Sequence, residues 1–128
     1  MKVLLDTCAF LWITTDDAQL NETARQIFKN PNNEIFLSSV SAWEIIVKNG
    51  IGKLPLPSLA EEFIVNQRIK HEIETLSLTE KAVFHLYKLP TYHKDPFDRM
   101  LICQAIEHDL TILTSDSLIV QYPVNTAW

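Results

Sequence analysis

Short, dense apolar runs alternate along this chain with longer stretches whose apolar residues recur every three to four positions. That alternation predicts buried strands separated by amphipathic helices. Val3-Leu4-Leu5 reads as a strand buried on both faces, ending at Asp6, and Thr7 to Trp12 as a short helix halted at Thr14-Thr15-Asp16-Asp17. Asn21 caps a helix from Glu22 to Lys29 with Ala24, Ile27 and Phe28 on one face, and Asn30-Pro31-Asn32-Asn33 stops it. Ile35-Phe36-Leu37 is the next strand. A helix follows from Ala42 to Lys48, with Ser41 and Glu44 at capping-box spacing and Glu44 and Lys48 spaced for an ion pair.

Gly50-Ile51-Gly52 ends that helix, and Lys53 to Pro57 is an extended connection. Ser58 is expected to cap a helix reaching about Lys70, and His71 to Leu76 to form a partly exposed strand. Thr79-Glu80 opens another helix, with Ala82, Val83, Leu86 and Leu89 inward, closed by Pro90. Asp95-Pro96 then starts a helix running to about His108, since proline fits a first turn and a preceding aspartate caps it. Leu110 to Thr114 is a strand, and Leu118 to Trp128 adds a short helix and a terminal extended segment. Strands alternating with helices make an α/β fold, with four to five parallel strands covered on both faces.

At 128 residues and 47% hydrophobic, the chain has the material for one domain, 1–128, with a substantial core. No apolar run is long enough to span a membrane, and Lys2 and Asp6 bracket too short a stretch for an export signal, so a cytoplasmic location is expected. Cys8 and Cys103 have no partner spacing for zinc and are expected to be buried free thiols. Gly50 and Gly52 are the only glycines, which excludes a P-loop and a dinucleotide fingerprint.

The chemistry concentrates in four acids. Asp6, Glu44, Asp98 and Asp116 each lie near a strand exit or a helix start, and each has an ordinary structural explanation as a cap or a favourable dipole partner. In a parallel α/β fold, however, such positions converge on one sheet edge. Two like charges about 4 Å apart cost on the order of 4 kcal/mol at an effective dielectric of 20, more than the ~1 kcal/mol of a cap. A bound cation resolves the conflict, and an all-oxygen donor set favours Mg²⁺ or Mn²⁺. Metal-assisted phosphodiester hydrolysis follows as the expected chemistry.

The motifs Leu4-Leu5-Asp6-Thr7, Ser41-x-Trp43-Glu44-Ile45, His93-x-Asp95-Pro96-Phe97-Asp98-Arg99 with the following Leu-Ile-x-Gln-Ala, and Leu113-Thr114-Ser115-Asp116 occur in the order seen in PIN-domain ribonucleases. The chain in particular resembles the VapC toxins of toxin–antitoxin pairs. The resemblance implies a three-layer α/β/α PIN-like domain. It implies that Asp6, Glu44, Asp98 and Asp116 form a catalytic, metal-binding set. Thr7, Asp95 and Thr114 are expected to support that set. It further implies hydrolysis of RNA to 5′-phosphate and 3′-hydroxyl ends, a VapB-like antitoxin partner and a homodimer, for which Trp12, Leu54, Leu56 and Phe63 are candidate contacts. The net charge of −5 falls to −1 without the four acids, so RNA binding is compatible with the remainder. Lys48 and Arg99, with Lys53 and Lys94 behind them, are candidate phosphate contacts.

Three other readings compete. A haloacid-dehalogenase-like phosphatase needs a second aspartate two residues after the first, where Cys8 stands. A phospho-receiver needs an adjacent acidic pair after its first strand, and only Asp6 is there. A catalytically silent PIN-like binding module would not need all four acids.

Overall fold

A computed structural model describes residues 1–128. Strands β1 (Lys2–Leu5), β2 (Glu34–Ser38), β3 (Glu74–Leu76), β4 (Thr111–Leu113) and β5 (Asn125–Ala127) form one sheet in the order β3-β2-β1-β4-β5, parallel at every pairing. The side-chain period of two divides β1 between the faces. Val3 and Leu5 join Leu37 and Leu113 in a core layer beneath helices α1 (Thr7–Thr15), α2 (Glu22–Lys29), α3 (Ser39–Gly50) and α4 (Ala60–Lys70). Leu4 and Ile112 face the opposite way, onto α6 (Pro96–His108), where Leu101, Ile102 and Ala105 meet Ile119 and Tyr122. α5 (Glu80–Phe84) runs on as a 3₁₀ turn through His85–Lys88 and packs against α6 on that side. The result is the expected three-layer α/β/α arrangement, with five strands.

The chain turns from β1 to β2 on one side and reaches β4 on the other, so the strand order reverses beside β1. In open parallel sheets that reversal opens a crevice beyond the strand ends, where helix starts converge. Here the β1 end delivers Asp6, and the β4 end delivers Thr114 and Asp116.

Several local expectations change. α3 begins at Ser39, immediately after β2, because Ser38 is the cap: its Oγ accepts the Val40 N–H at 2.9 Å. Ser41 therefore caps nothing, and Glu44 lies beyond the first turn. α4 starts at Ala60 with no side-chain cap, and the Ser58 hydroxyl reaches only the Leu59 carbonyl at 3.5 Å. The strand expected from His71 shortens to Glu74–Leu76. Glu72 adopts a left-handed conformation, φ 55°, while Ile73 N–H returns to Arg68 O at 2.9 Å, so this segment still closes the helix. No helix is long and apolar enough to cross a membrane.

Candidate active site

Each of the four acids reaches the crevice from its own element. Asp6 precedes α1 and is its cap, Oδ1 accepting the Ala9 N–H at 2.7 Å. Its other oxygen, Oδ2, accepts the Thr114 hydroxyl at 2.5 Å. Capping and a place in the acidic crevice are thus properties of one carboxylate rather than alternatives. Thr114 Oγ1 in turn accepts the Asp116 N–H at 3.0 Å, tying the loop after β4 to the end of β1.

Glu44 projects from α3 and is 5% exposed. Oε1 lies 2.7 Å from Thr7 Oγ1, whose hydroxyl also meets Ser41 Oγ at 3.0 Å. A carboxylate only accepts, so the single Thr7 proton goes to Glu44 and Ser41 donates to Thr7. Oε2 is paired with the Lys48 ammonium, the expected i,i+4 pair, and that hydrogen bond raises the lysine pKa. Glu44, despite its depth, is thus held by a hydroxyl on one oxygen and a cation on the other.

Asp95 caps α6 as expected, Oδ1 accepting from Phe97 N–H at 2.8 Å and Asp98 N–H at 3.3 Å. Asp98 does not complete a capping box. The Asp95 N–H it would have to accept is directed to His93 Nδ1 at 3.2 Å. The Asp98 side chain points elsewhere, its Oδ2 3.0 Å from His93 Nε2, and Asp116 Oδ2 stands 3.1 Å from the same nitrogen.

The four acids, with Thr7, Cys8, Lys48 and Asp95, line one cavity of about 300 Å³. Crowding leaves its mark on their protonation. Burial, opposed by the Thr114 and Ala9 hydrogen bonds and reinforced by Asp116 and Glu44, pushes the Asp6 carboxyl up to about 6. Burial, together with the Asp95 and Glu44 charges, pushes Asp98 up to about 7. Both acids would bind a cation in place of a proton, and the oxygen-rich donors suit a hard divalent ion. The residues therefore fit Mg²⁺ or Mn²⁺.

The remaining expected site residues divide. Arg99 does not face the cavity: Nη1 donates to Pro90 O at 2.8 Å, Tyr122 Oη at 3.2 Å and His93 O at 3.4 Å, so its charge braces the preceding loop instead of meeting phosphates. Lys48 is at the cavity, whereas Lys53 and Lys94 are exposed and do not line it. Cys103 is buried, but Cys8 is exposed at the cavity rim, since the first turn of α1 turns it outward. Partial burial and the nearby Asp6, Glu44 and Asp98 push its thiol up to about 11, so it is a poor nucleophile. Of the proposed dimer contacts, Phe63 is buried in the core against Phe10, while Trp12, Leu54 and Leu56 are half-buried. His93 was not among the expected site residues. It lies in an irregular loop with no periodic signal, and its place at the head of the His93-x-Asp95-Pro96-Phe97-Asp98-Arg99 motif is the one sequence feature that points to it.

The PIN domain family model matches residues 3–124, and the chain belongs to that family. Its fold is similar to that of a chain of VapBC2 from Rickettsia felis, solved bound to a DNA fragment from its promoter, with a TM-score of 0.74 at 16% identity, covering 99% of this chain and 98% of that one. A chain of VapBC-1 from nontypeable Haemophilus influenzae aligns with a TM-score of 0.67 at 17% identity, covering 99% and 97%. DNA-bound VapBC from Salmonella typhimurium gives 0.67 at 20% identity over the same shares. At these identities the likeness is one of fold. No curated protein matches the sequence.

Proposed function

We propose that this PIN-domain protein is a Mg²⁺- or Mn²⁺-dependent endoribonuclease and the toxin of a toxin–antitoxin pair. The observation that carries the reading is the convergence of Asp6, Glu44, Asp98 and Asp116 on one cavity, where two of the carboxyls are held well above their ordinary range. Such a set is costly to maintain unless a cation offsets it.

Asp6, Glu44, Asp98 and Asp116 would hold the cation. When bound, a divalent ion supplies activation of the attacking water and charge neutralisation at the phosphate. The chain's own residues prepare that site. Thr114 fixes Asp6, Thr7 fixes Glu44, and the Asp95 cap fixes the start of α6 on which Asp98 rides. Lys48 sits at the cavity edge, on Glu44, where a positive group can meet an RNA phosphate.

Hydrolysis by water needs no 2′-hydroxyl attack and gives no cyclic phosphate; with the P–O3′ bond broken and O3′ leaving as the hydroxyl, the products carry 5′-phosphate and 3′-hydroxyl ends. The toxin role and a VapB-like antitoxin partner rest on similarity to VapBC complexes, while a homodimeric active form and a cytoplasmic location are proposed from the sequence resemblance alone. Mapping the ends made by antitoxin-free protein on total RNA tests the chemistry. Ends that ligate through a 5′-phosphate are expected, and 2′,3′-cyclic phosphates would exclude it.

A further inference from the structure

Asp98 and Asp116 come from different elements, α6 and the loop after β4, yet their Oδ2 atoms meet one side chain, His93. A histidine within reach of two carboxylates can be a third metal ligand or a donor that spaces them. The other ring nitrogen separates the two roles. Asp95 N–H points at His93 Nδ1 at 3.2 Å, and an N–H can be received only by a nitrogen carrying a lone pair. The ring proton is therefore on Nε2, facing the acids, and Nε2 has no lone pair to give a metal.

The loop that carries the ring is itself clamped. His93 N–H donates to Tyr122 Oη at 2.8 Å, and Arg99 Nη1 reaches both Tyr122 Oη and the His93 carbonyl. Tyr122 is 3% exposed, so the clamp is anchored in the core beneath α6. Backbone, ring and tautomer are thus all fixed before any ligand arrives.

We propose that His93 is a positioning residue: a tautomer-locked donor whose single Nε2–H is hydrogen-bonded to Asp116 Oδ2, with Asp98 Oδ2 set 3.0 Å from the same nitrogen, so that the two carboxyls are readied for a divalent cation that His93 does not ligate. The inference rests on the metal-dependent reading above. It also assigns Arg99 a function through Tyr122 and His93 in place of phosphate contact.

The test is Mn²⁺ binding to the antitoxin-free chain, followed by electron paramagnetic resonance, for the wild type, His93→Ala and His93→Gln. Groups that orient ligands without touching the metal cost about 10- to 100-fold in metal affinity when removed, which is the loss expected for His93→Ala. His93→Gln, whose amide can place an N–H near the Nε2 position, is expected to recover most of it. Bound Mn²⁺ should show no directly coordinated ¹⁴N coupling. Unchanged affinity in His93→Ala would overturn the proposal, as would a coordinated ¹⁴N signal in the wild type. If His93→Ala does not fold by circular dichroism, the wild-type spectrum and the His93→Gln affinity decide the question. Failure of the wild type itself to bind Mn²⁺ would overturn the metal-dependent reading, and this inference with it.

Discussion

The Thr114 hydroxyl donates to Asp6 Oδ2 across 2.5 Å, joining residues 108 positions apart in the chain and the ends of the adjacent parallel strands β1 and β4. Thr114 is 1% exposed and Asp6 6% exposed, so the bond is made largely out of contact with bulk water. Thr114→Val keeps the shape and removes the donor. It strands a buried carboxylate oxygen and the Asp116 N–H, and the expected loss is about 1–3 kcal/mol of stability, read by urea denaturation with EDTA. Wild-type stability in this variant would mean that the hydrogen bond contributes nothing net.

The raised carboxyls set a pH dependence. A group whose folded pKa exceeds its unfolded value favours the native state while protonated and opposes it once ionised. Asp6, moved from 3.8 to about 6, and Asp98, moved to about 7, should therefore make the metal-free protein lose stability as pH rises from about 4 to 7. For Asp6 alone the change is on the order of 2–3 kcal/mol. Saturating Mg²⁺, which binds the ionised carboxyls, should reduce the loss across that range and leave the protein more stable at pH 7 than it is with EDTA. Melting temperatures across pH, with EDTA or Mg²⁺, check both statements.

Arg99 and Lys48 should separate experimentally. Arg99→Ala removes three donor contacts and is expected to cost about 1–3 kcal/mol of stability, while leaving the salt slope of RNA binding unchanged. Lys48→Gln should leave the fold intact, because its pair with Glu44 is 43% exposed on the lysine side, yet raise KM for RNA. Salt-dependent binding isotherms and kinetics on one RNA distinguish them, and the opposite assignment would place the phosphate contact at Arg99.

How far these features could be read from sequence depends on how local their causes are. The alternation of apolar runs located β1, β2 and β4, the polar β3 lies inside a longer expected strand, β5 was expected only as a terminal extended segment, and the Asn21, Thr79 and Asp95 caps are where local chemistry puts them. Asp6 and Asp116 were legible because strand exits in a parallel sheet converge whatever the side chains are, and Asp98 because the start of α6 faces the same edge, whereas Glu44 reaches it from the second turn of α3. The α3 start was misread because Ser38, Ser39 and Ser41 all offer capping hydroxyls, and only the direct passage of β2 into helix selects Ser38. Arg99 looked like a phosphate contact because its sequence neighbour is Asp98. One step along a helix is a rotation of about 100°, which turns it from the cavity to the Pro90–His93 loop. His93 needed the loop conformation itself, which no periodicity encodes.

The most direct test of the acidic cavity is cleavage of total RNA by antitoxin-free wild type and by Asp98→Asn, each with Mg²⁺ or Mn²⁺ and with EDTA. The account requires cleavage by the wild type that depends on the metal and is largely lost in the folded variant, which replaces a charged ligand of the proposed cation by a neutral amide. Equal cleavage by the variant, or cleavage undiminished by EDTA, would contradict it.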